Sequence, residues 1–284
     1  MKLPFDLNLN DKVAVITGGG GVLCGMFAKA IGKCGAKVAI LDLNKAAADA
    51  VADEINKDGG CAKGYAANVL DVNVMKSVHD EVLKDFGKCG ILINGAGGNH
   101  PKGTTTKEYL YPEDIEGAED IITFFDLDPD GISFVFNLNF LGTLIPTQVF
   151  AKDMAENKKG CIINVSSMNA FCPLTKIPAY SGAKAAVSNF TQWPAVHFSK
   201  IGVRVNAIAP GFFITNQNRG MLINEDGSFS ARAEKIVSQT PMSRFGEPEE
   251  LIGTLQFLIS EDAASFVNGV VIPVDGGFSA YSGV

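Results

Sequence analysis

Concentrated positive charge is missing from this chain. Its 24 lysines and arginines are dispersed among 31 acidic residues, for a net charge of −7. No basic cluster forms, so nucleic-acid and anionic-membrane partners lack their electrostatic footprint. Ordinary solubility accounts for the acidic balance. Histidine is scarce: His79, His100 and His197 are scattered, and the six cysteines, Cys24, Cys34, Cys61, Cys89, Cys161 and Cys172, include no CxxC pair. Neither set has zinc-site spacing, and no metal is expected. Several of the cysteines sit inside apolar segments and read as reduced core thiols of a cytoplasmic protein. No apolar run approaches the ~18 residues of a membrane span. The opening MKLPFDLNLNDK has no apolar stretch of the kind a signal peptide carries.

What is present is an alternation of strand and helix signals. Apolar runs at Lys12–Thr17, Lys37–Leu41, Ala62–Ala67, Ile91–Ile93, Cys161–Val165, Val203–Ile208 and Val270–Val274 read as strands. Helical patterns lie between them, one ending near Cys34, one over Ala46–Lys57 and one over Asn73–Phe86. Strands that read as unbroken apolar runs are buried on both faces, which predicts a parallel sheet. The pattern predicts a doubly wound α/β Rossmann fold with seven parallel strands. With 284 residues, no repeat and no linker, one domain over 1–284 is expected. Two stretches interrupt the alternation, an insertion over 99–131 and a loop over 212–241, both beyond carboxyl ends of strands. Open α/β sheets bind ligands there, and long loops at such places are usually functional.

The first strand runs into a glycine-rich turn, Thr17 to Gly25, that opens a helix. Small residues there let the backbone approach a pyrophosphate at a helix N-terminus. Asp42 ends the second strand, where a carboxylate can accept hydrogen bonds from ribose hydroxyls and would repel a 2′-phosphate. Lys45 is the nearest cation and no arginine follows Asp42 directly, which favours NAD(H) over NADP(H). A helix cap is the plainer reading of Asp42. Tyr180 and Lys184, in YSGAK, stand at i and i+4 and share a helix face. An ammonium near a phenol favours the phenolate, and such a tyrosine can exchange a proton with a carbonyl or alcohol oxygen. YxxxK alone also describes many surface helices. A methyltransferase could share the glycine turn and ribose acid, but it would not need YSGAK.

In register, the motifs resemble those of the classical short-chain dehydrogenase/reductase family from about Leu9 to Phe278. They are the turn at Thr17, NGAG at Asn94–Gly97, Asn139 in NLNFLGT, NVSS ending at Ser167, YSGAK, NAIAPGFFIT from Asn206, and VDGG from Val274. The sequence departs from the family pattern at several positions. Val22 and Cys24 stand where the family has glycines, with Gly21 and Gly25 beside them. Asn68 replaces an acid, Gly95 replaces the second asparagine of NNAG, and Phe213 replaces an aliphatic residue. The resemblance implies that Tyr180 is the proton donor, with Lys184 lowering its pKa and holding the nicotinamide ribose. It implies that Ser167 hydrogen-bonds the substrate oxygen and that Asn139 keeps a water in a proton relay. The cofactor would lie along Gly18, Gly21, Val22, Leu23, Asp42, Leu43, Asn68, Val69, Asn94, Ala96, Gly97, Pro210, Gly211, Phe213 and Thr215. Plainer readings exist: Ser167 as a strand-end cap, Asn139 as a kink residue near Pro146, Tyr180 as packing, Thr215 as a helix cap. Arg244 fits a structural position, and Met242, Trp193 and the phenylalanines read as core.

The substrate is read from the loops. GGNHPKGTTT and TFFDLDPDG in the insertion resemble the corresponding segments of those family members that are D-mannonate oxidoreductases (fructuronate reductases). A sugar acid needs a cation and hydrogen-bonding groups, for which Asn99, His100, Lys102, Asn169, Asn216 and Arg219 are the candidates. The expected reaction is NADH-linked reduction of D-fructuronate to D-mannonate. Another sugar or polyol dehydrogenase, such as a gluconate 5-dehydrogenase, is the alternative, and a non-catalytic NAD-binding sensor or scaffold is the reading from a different class. Contact with a neighbouring subunit is the plainer alternative for the insertion, since family members are usually tetramers or dimers.

Overall fold

The computed structural model describes residues 7–116, 120–215 and 218–283. In sequence order the elements are β1 (Val13–Thr17), α1 (Val22–Lys33), β2 (Lys37–Asp42), α2 (Lys45–Lys57), β3 (Cys61–Ala66), α3 (Val72–Asp85) and β4 (Ile91–Asn94). After the insertion come α4 (Pro129–Phe136), a π-helical turn (Asn137–Leu141), α5 (Gly142–Asn157), β5 (Gly160–Val165), α6 (Pro178–His197) and β6 (Val203–Pro210). The last elements are α7 (Arg219–Leu222), α8 (Ala231–Gln239), α9 (Ile252–Ile259), α10 (Glu261–Ala264) and β7 (Val271–Val274). The seven strands form one sheet in the order β3-β2-β1-β4-β5-β6-β7, and every pairing is parallel.

Each strand presents alternate residues to opposite faces, and helices cover both. Ala14 and Ile16 of β1 enter a core with Phe27 and Ile31 of α1 and Leu255 of α9. Val13 and Val15 enter a second core with Met75 and Val78 of α3 and Phe150 and Met154 of α5. That double burial is why VAVIT has no polar face. From β1 the backbone winds outward through β2 and β3, then returns to place β4 on the other side of β1. The reversal leaves a crevice at the carboxyl ends of β1 and β4, the usual ligand position in such sheets.

Pro129–Asn157 is helical throughout, 29 residues long and apolar enough to cross a membrane by length and composition, but more than half of its apolar window is buried inside the protein. It is a core helix with a π-helical turn near its middle. It also shortens the insertion expected over 99–131. Asp128 caps α4 by accepting the Asp130 N–H at 2.8 Å, and Pro129 takes the first helical position, so the helix starts earlier than the end of that segment.

Burial corrects four expectations. Trp193 is 61% exposed on α6 and Met242 60% exposed, so neither is core; Trp193 instead stacks on His197 one turn away. Phe124 and Phe125 of the insertion are exposed, as is Phe266. Of the six cysteines, Cys24, Cys89 and Cys161 are buried, while Cys61 and Cys172 are exposed.

Candidate active site

The glycine turn is built by hydrogen bonds that leave little freedom. Gly18 has φ +65°, the left-handed region, and a Cβ there would meet Ala96 Cα at 2.9 Å. A Cβ on Gly20 would lie 2.7 Å from Ala47 Cβ and 3.0 Å from Asp42 Oδ2. Gly21 is the N-cap of α1, so the N–H groups of Val22 and Leu23 open the helix without intrahelical acceptors. Gly25 takes the close approach to α2, where a Cβ would stand 3.3 Å from Val51. The neighbouring glycines thus serve the turn in which Val22 and Cys24 replace the family's residues. The small residues, the helix N-terminus and the Asp42 carboxylate form a cradle that fits a dinucleotide.

Asp42 braces this cradle as well as facing it. Its Oδ2 accepts the Gly20 N–H at 3.0 Å and its Oδ1 accepts the Asn44 N–H at 2.9 Å. Each carboxylate oxygen keeps a lone pair for a ribose hydroxyl. Leu43 is exposed and Val69 buried. Asn68 is exposed, and its side-chain oxygen accepts from Leu70 N at 3.0 Å. Thr17 Oγ1 accepts from both Gly95 N and Ala96 N, at 3.1 and 3.2 Å, and so fastens the turn after β4 to the end of β1.

Two of the expected cofactor residues face inward. Asn94 is buried, its Nδ2 donating to Thr147 Oγ1 and Asn164 Oδ1, both at 2.9 Å. Phe213 is buried in the core against Gly246, where a Cβ would be 2.4 Å from its ring. Only their backbones remain for a cofactor, because their side chains complete the packing beneath the crevice. Pro210 ends β6, and Gly211 N bonds Val274 O at 2.9 Å, with Asp275 Cα 2.5 Å from any Cβ it could carry. Asn218 Oδ1 accepts from Thr215 N at 2.7 Å, and Asn218, not Thr215, is the N-cap of α7.

The proton-transfer candidates converge from three elements. Ser167 follows β5 and is buried; its Oγ accepts the Asn169 N–H at 3.3 Å. Tyr180 and Lys184 lie one turn apart on α6, with Lys184 Nζ 5.6 Å from the Tyr180 ring centroid. Lys184 Nζ donates to the Val165 carbonyl at 2.8 Å, close to Ser167 in sequence. Asn139 lies in the π-helical turn, fully buried. Its Nδ2 donates to Gly98 O at 2.7 Å and Val135 O at 2.8 Å, and its Oδ1 accepts from Gly98 N at 3.3 Å. Gly97 joins the group sterically, since a Cβ there would be 2.5 Å from Asn139 Oδ1 and 3.2 Å from Lys184 Nζ.

Electrostatics depart from the expectation that Lys184 depresses Tyr180. Burial pushes the Tyr180 phenol above its ordinary value, and the opposing influence is a hydrogen bond from Ser167. Burial likewise brings the Lys184 ammonium down to about 8, with Cys24 opposing. Both groups are driven towards their neutral forms by the same loss of water. The lysine's charge is also engaged with the Val165 carbonyl.

A buried polar network, which the motif pattern does not reveal, runs from Asn139 to Thr191 of α6. Thr143 Oγ1 donates to Asn139 O, and Thr147 Oγ1 to Thr143 O, both at 2.8 Å. Asn94 joins Thr147 to Asn164, and Asn164 Nδ2 donates to Thr191 Oγ1 on α6 at 2.9 Å. Every member is buried, so every bond matters to stability. The i, i+4, i+8 spacing of Asn139, Thr143 and Thr147 was its one visible sign in the sequence.

The substrate candidates divide. Asn99 donates to Thr104 Oγ1 at 3.0 Å, and His100 Nδ1 accepts from Lys102 N at 3.2 Å while its ring packs edge-on against Phe134. Lys102 Nζ pairs with Asp128 Oδ2 at 3.0 Å, which takes up the charge expected for a substrate carboxylate. Asn169 is buried beside Ser167, and its Oδ1 has no hydrogen-bond partner among the described residues. Arg219 is exposed at the start of α7, without an ion pair among the described residues. Asn216 lies outside the described residues. A broad groove lined by Lys12, Lys88, Lys159 and Arg204 sits at the amino ends of the strands, away from Tyr180, and Lys12 and Lys159 share Glu261 there.

The family model for short chain dehydrogenases matches residues 12–225 of this sequence, and the protein belongs to that family of oxidoreductases. An uncharacterized oxidoreductase of Haemophilus influenzae is 60% identical over 284 residues, covering 100% of this chain and 99% of that protein. The uncharacterized oxidoreductase UxuB of Bacillus subtilis is 50% identical over 99% of this chain and 100% of its own length. A solved structure from Haemophilus influenza, of a candidate D-mannonate oxidoreductase with bound NAD, superposes with a TM-score of 0.93 at 59% identity, both proteins covered in full. A gluconate 5-dehydrogenase from Burkholderia cenocepacia, in complex with NADP and tartrate, superposes with a TM-score of 0.81 at 26% identity over 98% of each protein.

Proposed function

We propose that this protein is an NAD(H)-dependent reductase of a sugar-acid ketone, interconverting D-fructuronate and D-mannonate. The observation that carries the substrate is the full-length match to the Haemophilus candidate D-mannonate oxidoreductase with NAD. Asp42, at the mouth of the glycine turn, supports NAD(H) over NADP(H), because a carboxylate there repels a 2′-phosphate. Cytoplasmic location and assembly as a tetramer or dimer belong to the same reading.

When bound, the nicotinamide supplies or accepts the hydride at the carbonyl carbon. Tyr180 delivers the proton to the carbonyl oxygen in reduction and removes it in oxidation. Ser167 donates a hydrogen bond to that oxygen as charge develops on it. Lys184 holds the ribose, a role supported by its approach to Gly97, and Asn139 holds the Gly98 backbone that leads into the insertion. The buried Asn169 oxygen, without a hydrogen-bond partner among the described residues, accepts from a substrate hydroxyl. With Lys102 paired to Asp128, Arg219 is the proposed cation for the carboxylate. The likeness to a gluconate 5-dehydrogenase supports a second reading, a keto-gluconate substrate handled by the same groups.

The test is NADH consumption with D-fructuronate beside a panel of hexuronates and keto-gluconates. Turnover with D-fructuronate that disappears in Tyr180→Phe while NADH binding persists supports an enzyme rather than a binding protein. No turnover with any sugar acid overturns the substrate class, and a preference for NADPH overturns the cofactor.

A further inference from the structure

Cys24 and Gly95 occupy one shared space. A Cβ placed on Gly95 would lie 2.1 Å from Cys24 Sγ, far inside contact distance, and 3.0 Å from the Thr17 carbonyl oxygen. Cys24 is the third residue of α1, only 5% exposed, and Gly95 is the first residue after β4. The sulfur therefore fills the volume a side chain at position 95 would take. Both residues depart from the family pattern, and they meet each other.

The turn that contains Gly95 is tightly held on other sides too. Gly18 abuts Ala96, Thr17 Oγ1 holds the Gly95 and Ala96 N–H groups, and Asn139 and Lys184 close on Gly97. This short turn is a spacer between the dinucleotide cradle and the proton-transfer residues, and Cys24 of α1 bears on it. We infer that Cys24 is a positioning residue for the cofactor, its sulfur seated on Gly95 to set the distance between the glycine turn and the turn after β4. The inference rests on the NAD(H) reading above.

The thiol acts by volume. Burial pushes Cys24 up to about 12, against the pull of the Lys184 charge, so it is neutral in the working range and carries no thiolate chemistry. Alanine at 24 removes the sulfur but leaves Cys24 Cβ, which stands an ordinary 3.5 Å from the position of a Gly95 Cβ. The Thr17 carbonyl stays 3.0 Å from a Cβ at position 95 whatever stands at 24, so the two sites should be coupled, with either change harmful alone and the pair relieved in large part.

The experiment is a double-mutant cycle on the full-length protein with wild type, Cys24→Ala, Gly95→Ala and the double variant. NADH affinity is read by fluorescence titration, KM for NADH and kcat by turnover, and stability by urea unfolding. Gly95→Ala should weaken NADH binding about tenfold or more, and the double variant should recover most of that loss, the remainder set by the Thr17 carbonyl. Cys24→Ala alone should raise KM for NADH several-fold while kcat moves less. Should Gly95→Ala fail to fold, recovery of folding and NADH binding in the double variant supports the same coupling. Additive effects, or wild-type NADH affinity in Gly95→Ala, would overturn the inference while leaving the cofactor reading intact. Wild-type protein that binds neither NADH nor NADPH would overturn both.

Discussion

Asn139 grips Gly98 by both polar edges of its backbone, donating to the carbonyl at 2.7 Å and accepting the N–H at 3.3 Å. The same amide nitrogen donates to Val135 O. A side chain expected to serve a water relay is thus also the clasp between the long core helix and the start of the insertion. Asn139→Asp keeps the shape, loses both donations and sets a carboxylate oxygen against carbonyl oxygens. Leaving buried acceptors unpaired costs about 1–3 kcal/mol each. A loss of about 3 kcal/mol in urea unfolding is expected, with turnover reduced at least about tenfold. Unchanged stability would show that the clasp contributes little.

Ser167 is expected to reveal itself in a pH profile. Burial raises the Tyr180 phenol, so the acid form needed for reduction persists well above neutrality and the reduction rate should be flat there. Oxidation, which needs the phenolate, should rise with pH. Ser167→Ala removes the influence that lowers Tyr180, so the rising limb of oxidation moves to higher pH, and kcat falls by about 100-fold with the lost oxyanion donor. Profiles in both directions check this; a limb that stays in place would separate Ser167 from the tyrosine's titration.

Lys184 makes a stability prediction whose sign follows from its lowered pKa of about 8. In the unfolded state a lysine titrates near 10.4. Between these values the unfolded state binds the proton and the folded state does not, so this residue's contribution to stability rises with pH. Below about pH 8 the folded state carries a buried ammonium, at a cost on the order of 3 kcal/mol. Lys184→Met removes that cost. The difference in unfolding free energy between variant and wild type should be largest near pH 7 and shrink towards pH 10. A difference that is flat with pH would contradict it. Comparing the two proteins cancels the titrations of Cys89, Cys161 and Tyr65, which burial raises in both.

Asp42 offers a test of cofactor choice that leaves its size in place. Asp42→Asn keeps an acceptor for Asn44 or Gly20 but removes the charge that faces a 2′-phosphate. The preference for NADH over NADPH, measured as a ratio of kcat/KM values, should shrink by about tenfold or more. If the ratio holds, discrimination resides elsewhere in the crevice.

The sheet was readable along the sequence because its physics is local. The inner strands are buried on both faces and must be apolar at successive positions, while the edge strands β3 and β7 are partly exposed; all seven runs appear as strands displaced by at most two residues at either end. The i, i+4 relation of Tyr180 and Lys184 was readable for a similar reason, since a helix alone decides it. Trp193 was misread because helix periodicity does not say which face a sheet will cover.

Identity, spacing and local geometry were enough to name the family, the order of the elements and the residues that could exchange a proton. Folding decided everything that depends on residues distant in sequence meeting. Asp128 takes the charge of Lys102, Asn94 turns its side chain to Thr147 and Asn164, and burial rather than Lys184 governs Tyr180. Cys24 and Gly95 are 71 positions apart in the sequence, and only in the fold does the Cys24 sulfur fill the space beside Gly95. Packing and desolvation are properties of neighbourhoods, and a neighbourhood exists only once the polypeptide has closed on itself.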